Sequence, residues 1–426
     1  MSQTLKFPKR IPKLRWWMIS LIMLGATINY LTRATLSVAA PTLLKELHIG
    51  PQQYSWINGA FQGAIMLQPF CGYVLDLLGL RAGYAIFAVA WSVISMSHAF
   101  AHSWPVLATL RGALGLAEGS ANPAGMKATS EWFPANERGF AGGIYNIGAS
   151  VGSMLAPPLV VWAILFYNWQ FAFVITGVLG LVWVFFWLRF YHPPSTHPRL
   201  SEVERAYITS GQEAALAVPT RPSIGKIAQR RNFWGIALPR FLADPTWGTL
   251  TVWLPLYLST VRHMDLKQIA LTAWLPFFAA DIGCLFGGFL SQQFQRRGLT
   301  LINARRSAFT CGAVMMTGVA FVGFVESPYS ALTLLCVAGF AHQTLSVTVI
   351  TMSSDLFPRS EVATVAGMAG VFGNLGLLLF SLAIGGLVTT VGYSPFFVCL
   401  GVLDLIGAAL LWTIVKDPAS ANVSPA

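Results

Sequence analysis

The stretch of sequence that decides the fold is Gly72-Tyr73-Val74-Leu75-Asp76-Leu77-Leu78-Gly79-Leu80-Arg81. It begins inside the end of one apolar stretch, residues 56–78, and comes just before another, residues 83–101, which predicts a loop between two membrane-spanning segments. Gly72 and Gly79 permit a tight turn and a close approach of two helices, and Asp76 can pair with a cation or cap a helix end. We therefore predict that Gly72, Asp76, Gly79 and Arg81 form a gate loop at one face of a membrane.

Composition places the rest of the chain in a lipid bilayer. Hydrophobic residues make up 55% of the 426 residues and charged residues only 10%, and the mean hydropathy is +0.61. Twelve apolar segments, each near the ~20 residues that a bilayer requires, can be marked along the sequence. The predicted fold class is an all-α membrane protein with twelve transmembrane helices.

The net charge of +11 follows from topology and does not indicate a nucleic-acid partner. Basic residues with no acid among them precede the first predicted span, and a second basic cluster occupies one later loop; the residues are Lys6, Lys9, Arg10, Lys13, Arg15, Arg296, Arg297, Arg305 and Arg306. The positive-inside rule places these segments in the cytoplasm. Counting spans from there predicts that both termini are cytoplasmic.

A polar, proline-rich break interrupts the hydrophobic pattern at about residues 192–232. Ser201, followed by Glu202 and Glu204, predicts a short surface helix within it. The break divides the chain into an N-terminal six-helix half (1–191), a cytoplasmic linker (192–232) and a C-terminal six-helix half (233–426). Two six-helix halves are the architecture of major facilitator transporters, whose substrate site lies near the bilayer midplane.

Arg33 lies inside the first predicted span, in Ile28-Asn29-Tyr30-Leu31-Thr32-Arg33-Ala34, with no acid within helical reach in that stretch. A buried guanidinium without a partner is costly in a membrane and usually marks a pathway or a ligand site. One interpretation is an arginine that extends to the headgroups or is neutralised by a carboxylate from another helix. The other is that its partner is an anionic substrate that arrives from solution.

The fourth predicted span carries a second pair of ionisable residues. Arg111 and Glu118 are two helical turns apart and so lie on one face of a helix, beside glycines that let another helix approach. Arg111 is equally well explained by neutralisation within the protein. Glu118 is predicted to exchange protons, because burial and a nearby guanidinium act on a carboxyl group in opposite directions.

The chain resembles the anion:cation symporter branch of the major facilitators, and most closely its bacterial hexuronate transporters. The resemblance covers essentially the whole chain and rests on the spacing of Arg111 and Glu118 and on four stretches: Asn29-Tyr30-Leu31-Thr32-Arg33, Ser130-Glu131-Trp132-Phe133-Pro134, Ala156-Pro157-Pro158-Leu159 and Gly339-Phe340-Ala341-His342-Gln343. It implies that Arg33 holds a substrate carboxylate, that Tyr30 and Arg111 belong to the same site and that Glu118 is linked to proton movement.

Two departures limit what the resemblance implies. Galactonate-transporting relatives carry an Asp immediately before the first-helix arginine, where this chain has Thr32, so a second titrating carboxylate is missing. Their seventh-helix glutamine aligns with Arg240, which forms an i, i+4 pair with Asp244 next to Pro239 and Pro245 in a helix expected to be kinked. That pair is interpreted either as self-neutralised or as a second cationic contact with Asp244 as a proton partner.

Further polar residues in the predicted spans are candidates for hydrogen bonds to sugar hydroxyls: Asn146, His342, Gln343, Ser346, Thr348 and Asn374. Hydrogen bonds between helices are the commoner use of such residues in membranes. Asp281 and Asp404 are lesser acidic candidates. The five cysteines and seven histidines show no catalytic or metal-ligand spacing, so neither an enzyme nor a metal site is expected.

The function predicted from the sequence is a proton-coupled symporter that imports hexuronates such as galacturonate and glucuronate across a bacterial inner membrane by alternating access. The alternative is a symporter for another sugar acid, such as galactonate or glucarate. The expected partners are the sugar-acid anion, the proton and the lipid bilayer. No cofactor other than the coupling proton is expected, and the protein is expected to be a monomer.

Overall fold

Apolar composition and low charge produce a bundle of helices. The computed structural model describes residues 11–134, 137–210, 224–357 and 361–417, and these ranges contain helices and their connections but no β-strand. Within a bilayer only a helix or a closed barrel satisfies its own backbone hydrogen bonds, and the long apolar runs of this chain favour the helix. The all-α membrane fold predicted from the sequence is confirmed.

The helices before the linker are α1 (Leu14–Glu46), α2 (Pro51–Ile65), α3 (Gln68–Leu78), α4 (Leu80–Ser97), α5 (Trp104–Glu118), α6 (Ala121–Trp132), α7 (Arg138–Phe166) and α8 (Trp169–Phe190). The linker contains α9 (Glu202–Ser210) and α10 (Ile224–Ala228). The helices after it are α11 (Arg231–Gly248), α12 (Leu254–Thr260), α13 (Leu266–Thr272), α14 (Leu275–Arg296), α15 (Leu301–Met316), α16 (Pro328–Leu356), α17 (Val362–Val391) and α18 (Ser394–Ile414). Short 3₁₀ segments follow α4 (His98–Phe100) and α15 (Thr317–Phe321), and a π-helical segment (Thr249–Trp253) joins α11 to α12.

Several of the spans are built from more than one helical segment, among them α13 with α14. Eight helical segments of the described chain are each long and apolar enough to cross a membrane. The other spans are α2 with α3, α5 with α6, α11 with α12, and α15 with its 3₁₀ segment, which together with the eight make twelve. Neighbouring helices can re-satisfy the backbone groups that such breaks release.

The stretch at residues 72–81 is not a loop, contrary to the prediction. Gly72 and Asp76 lie within α3, and Arg81 lies within α4 and donates to the Leu188 carbonyl of α8. The connection is reduced to Gly79, whose φ of 75° is a left-handed conformation that glycine adopts without strain. The side chain of Asp76 lies outside the described residues. The predicted gate loop is therefore a one-residue turn between two helix ends.

The seventh span carries an interruption that was not predicted from the sequence. α11 runs continuously through Pro239 and Pro245, and the break comes later, in the π-helical segment just before Pro255. Pro255 has no N–H to donate to the preceding turn, and a π segment is one of the recognised causes of a bend in a helix.

Helices on each side of the linker pack mainly among themselves. In the N-terminal group, α1–α8, α1 packs against α7, and α2 packs against α5; in the C-terminal group, α11–α18, α14 packs against α16, and α11 packs against α17. Glycines bring α1 and α7 together, since a Cβ at Gly148 or Gly152 of α7 would collide with backbone carbonyls of α1. This close contact sets the position of the α1 segment that carries Arg33.

The two groups meet at the end of the bundle away from the linker, which we call the far end. There α2 packs against α17, α1 against α12, and α7 against α13 and α14. The Tyr54 hydroxyl donates to the Val252 carbonyl of the π-helical segment at 2.8 Å, and its ring meets the Trp253 ring edge-on. The described ion pairs at the linker end, such as Arg15–Glu137 and Arg230–Glu361, each stay within one group or between it and the linker. The seam is therefore closed at the far end.

The linker helix α9 is attached to the N-terminal group. The Ser201 hydroxyl accepts from the Glu204 N–H at 3.2 Å, which confirms the predicted helix start. Glu204 then accepts from the backbone N–H groups of Leu14 and Arg15, at 3.0 and 3.3 Å, and pairs with the Arg15 guanidinium at 2.9 Å. A carboxylate from the linker thus caps the first helix, where the positive end of its dipole favours an anion.

Candidate substrate and proton site

Arg33 lies near the middle of the bundle, and only one nitrogen of its guanidinium has a hydrogen-bond partner among the described residues. Its Nε donates to Oε2 of Glu118 at 3.3 Å, across 85 positions of sequence. The Arg33 side chain is 26% exposed, whereas the Glu118 side chain is fully buried. Among the described residues, no hydrogen-bond partner lies at the two terminal nitrogens of Arg33. The two terminal nitrogens, which we call the outer fork and which can donate in parallel to the two oxygens of a carboxylate, are therefore free to bind a ligand.

Two aromatic rings contact the Arg33 guanidinium. The Cζ atom of Arg33 lies 4.5 Å from the ring centre of Tyr30 and 5.2 Å from that of Phe61. Such contacts attract a cation through the negative face of the ring, and their strength increases where water is excluded. Tyr30 precedes Arg33 by about one helical turn on α1 and was among the predicted site residues, whereas Phe61 comes from α2 and was not predicted.

Arg111 is almost fully buried, with 3% of its surface exposed. Its Nη2 donates to the backbone carbonyl of Arg33 at 3.3 Å, and its Nε and Nη1 have no partner among the described residues. The carboxylate two turns along its own helix, Glu118, makes its ion pair with Arg33 instead. Of the pairings left open by the sequence, the structure adopts the one in which Glu118 neutralises Arg33.

The C-terminal group carries a second charged pair. Arg240 Nη2 and Asp244 Oδ2 are 3.4 Å apart, and both side chains are partly exposed, by 17% and 16%. Glycines of α17 make room for them, because a Cβ at Gly373 would collide with the Asp244 carboxylate and one at Gly370 would lie 3.6 Å from Arg240 Nη1. The Nε of Arg240 is buried without a partner among the described residues. This pair is loosely bonded and only partly covered.

The remaining polar candidates occupy different settings. The His342 ring is buried and stacks on Trp247, with ring centres 5.9 Å apart. The Asn374 side chain donates to the Gly370 carbonyl at 3.1 Å, and the fully buried Thr348 hydroxyl donates to the Leu345 carbonyl at 2.7 Å, so both bond within their own helices in this conformation. Ser346 is buried and Gln343 is half-buried on α16. The Asn146 side chain lies outside the described residues.

Sequence reasoning missed two features near the site. Asn29, one turn before Arg33, is fully buried, and its amide nitrogen and oxygen have no partner among the described residues. Ser150 of α7 donates to Oδ1 of Asp281 on α14, a hydrogen bond that crosses the seam between the two groups. Asp404, one of the lesser acidic candidates from the sequence, has both carboxylate oxygens buried without a described partner. In the sequence, these residues are recognisable only as polar residues within apolar stretches. That pattern does not show which residues they contact.

Replacing Ser150 with Ala is expected to loosen the far-end seal. A hydrogen bond to a charged group contributes roughly 1.5–3 kcal/mol, so its loss shifts the equilibrium toward opening by about tenfold. Thr42 lines a cavity between the end of α1 and the start of α13 at the far end, together with Lys45 and Leu266. In a background without the five native cysteines, a cysteine at Thr42 should react about tenfold faster with a membrane-impermeant maleimide when Ser150→Ala is added. Ser97→Ala is the matched control, since its hydroxyl bonds only to its own helix. Unchanged labelling in Ser150→Ala would mean that this hydrogen bond does not hold the seam.

An all-helical bundle of interrupted and continuous spans, with a charged site deep inside it, defines a class of membrane transporter. The family model of the Major Facilitator Superfamily matches residues 22–304 and 299–426. The chain therefore belongs to the Major Facilitator Superfamily and is a multi-pass membrane protein.

Individual relatives match most of the chain. The chain is 50% identical over 420 residues to a hexuronate transporter of Escherichia coli (strain K12), covering 98% of this chain and 97% of that protein. It is 48% identical over 339 residues to a galacturonate transporter of Dickeya chrysanthemi, covering 79% of this chain and 98% of that protein. A solved structure of a bacterial homolog of the human lysosomal transporter Spinster, inward-facing and unoccupied, superposes with a TM-score of 0.76 at 17% identity, covering 98% of this chain and 100% of that one. This structural likeness shows the fold.

Proposed function

We propose that this protein imports hexuronates such as galacturonate and glucuronate together with a proton across a bacterial inner membrane. The observation that carries the proposal is the half-paired Arg33, whose Nε bonds Glu118 while its terminal nitrogens are open. A planar guanidinium recognises a carboxylate by two parallel hydrogen bonds. The two relatives named for hexuronate and galacturonate transport support the choice of sugar acid.

Competition for Arg33 supplies the coupling. An ionised Glu118 bonds Nε and neutralises much of the charge of Arg33, so its protonation leaves the full charge of the guanidinium to a carboxylate at the terminal nitrogens. Release works in reverse: when Glu118 loses its proton, it neutralises Arg33 again and weakens the binding of the uronate. Glu118 is fully buried and its Oε1 has no described partner, which makes the state with a negative charge and no guanidinium costly.

Charge balance favours a monoanion with one proton. The site contains Arg33, Arg111 and one carboxylate, since Arg240 and Asp244 cancel each other. One proton and one uronate together leave its net charge unchanged, whereas either alone changes the charge by one unit within a low-dielectric interior. A dianionic aldarate such as glucarate would not be balanced by one proton. This argument favours hexuronates over that alternative.

Transport would proceed by rocking of two halves, residues 1–191 and 233–426, about the site, with the linker and both termini in the cytoplasm. The closed far-end seam supports this arrangement, because a site between two groups that is sealed at one end must open at the other. The protein is proposed to act as a monomer, because each polypeptide carries both the Arg33–Arg111 site and the Arg240–Asp244 pair.

Uptake into proteoliposomes tests the proposed function. Labelled galacturonate should accumulate when the outside is acidic, and unlabelled glucuronate should compete strongly, galactonate and glucarate weakly and neutral galactose not at all. A stronger response to galactonate or glucarate would assign the protein to the alternative substrate. Failure to accumulate any sugar acid on a pH gradient would overturn the proposal.

The driving forces give a separate prediction. With Glu118 as the one titrating group that competes with substrate, one proton moves with each uronate anion and transport is electroneutral. An inside-negative potential, worth ~2.3 kcal/mol per elementary charge per 100 mV, should then stimulate uptake less than twofold when there is no pH gradient. Strong stimulation by the potential alone would mean that a second acid, with Asp244 the first candidate, carries another proton.

A further inference from the structure

Phe61 lies where the two arginines of the site come together. It is on α2 and is 3% exposed. Its backbone is held against α5 because Gly115 has no side chain: a Cβ there would lie 3.1 Å from the Phe61 Cα and would collide with its carbonyl oxygen. The α2–α5 contact therefore fixes the backbone that carries the ring, whether or not a ligand is bound.

Two guanidinium groups share this one ring. Cζ of Arg33 lies 5.2 Å from the ring centre and Cζ of Arg111 lies 4.5 Å from it. Like charges repel, and the one carboxylate beside them, Glu118, makes its described hydrogen bond only to Arg33. Arg111 has a single described hydrogen bond, to a backbone carbonyl. The negative face of an aromatic ring is thus a principal partner of the second cation.

We propose that Phe61 is a positioning residue that holds Arg33 and Arg111 together as a preformed receptor for a carboxylate. This inference rests on the proposed function, since the ligand is the uronate carboxylate. The ring offsets part of the repulsion between the two cations, because both Cζ atoms lie close to its centre. Phe61 and Tyr30 together restrict the movement of the Arg33 guanidinium, whose terminal nitrogens have no described partner. A ligand that meets a preformed receptor does not have to order it on binding.

Phe61→Leu removes the aromatic face and retains an apolar side chain. The dissociation constant for galacturonate in the purified protein should increase about tenfold, and the KM for uptake should rise by a similar factor with kcat within twofold. Phe61→Tyr keeps the ring and should bind within twofold of wild type. Phe185→Leu is the control, because Phe185 is 66% exposed and contacts another ring but no described cation. If Phe61→Leu is not monodisperse, Phe61→Met replaces it with the same expectation.

A second measurement does not need the substrate. Phenylglyoxal modification of Arg33 in the unliganded protein, followed by mass spectrometry, should be several-fold faster in Phe61→Leu than in wild type and unchanged in Phe61→Tyr. Wild-type binding and wild-type modification rates in a folded Phe61→Leu would overturn the proposal while leaving the transport function intact. If wild type binds no sugar acid but Arg33 is still modified faster in Phe61→Leu, the proposed function is wrong. The inference that Phe61 positions Arg33 is then retained.

Discussion

Purified Arg33→Lys protein is expected to bind galacturonate about ten- to a hundredfold more weakly than wild type, because a hydrogen bond to a charged group contributes roughly 1.5–3 kcal/mol and one of the two parallel bonds is lost. The lysine ammonium keeps the charge but is a point donor that cannot form two parallel bonds to a carboxylate. It would also be drawn to Glu118, which now bonds Arg33 through Nε and leaves the outer fork free. Isothermal titration calorimetry on a monodisperse sample measures the effect.

The matched control is Arg189→Lys. Arg189 lies near the end of α8 and its guanidinium contacts Phe190 of the same helix. That variant should bind galacturonate as wild type does. Binding by Arg33→Lys within fivefold of wild type would remove Arg33 from the centre of the site.

Glu118→Gln protein is expected to exchange external for internal galacturonate but to lose uphill accumulation. The amide resembles the protonated carboxyl group in shape and in having no charge, so it cannot re-form the ion pair with Arg33 at 3.3 Å. Substrate can therefore bind and cross, but no proton travels with it. In proteoliposomes with an acidic exterior, the accumulation ratio should fall to about one, while counterflow exchange stays within about threefold of wild type.

Glu46→Gln provides the comparison. Glu46 is an exposed acid at the far end that accepts from the Trp169 indole, away from Arg33. This variant should accumulate galacturonate normally. If Glu118→Gln still concentrates uronate on a pH gradient, the coupling acid is a different residue, and Asp244→Asn is the next variant to measure.

Several residues of the candidate site could be predicted from the sequence, because the free-energy cost of placing a charged side chain in an apolar span depends only on nearby residues. An arginine in a span of apolar residues, or a glutamate near the end of one, is unfavourable whatever its neighbours are. Arg33, Arg111 and Glu118 were predicted as candidates for that reason, and Tyr30 through the family resemblance. The pairing of Glu118 with Arg33 and not with Arg111 could not be predicted, since it depends on how α1 and α5 are brought together by the rest of the bundle.

The same limit explains the errors in local structure. The stretch at residues 72–81 contains turn-forming glycines, but the helices continue to within one residue of Gly79, where the chain reverses. α11 is helical through Pro239 and Pro245, beside which a kink was predicted, and an interruption that was not predicted lies at the π-helical segment before Pro255. Glycine and proline mark positions where a helix is allowed to break, and packing selects the ones where it does.

The sequence by itself determined the membrane-spanning, all-helical fold, the helical start of the linker at Ser201 and the cationic character of the site. These follow from hydrophobicity, local backbone preference and the cost of charge in an apolar span, each of which acts within a few residues. Only the tertiary structure decided that Phe61 contacts both Arg33 and Arg111, that Ser150 meets Asp281 and that Tyr54 closes the far end on Val252. The physical reason is that these contacts join residues far apart in the chain: a glycine in the sequence shows that another helix can approach, but the packing of the whole bundle selects which helix does.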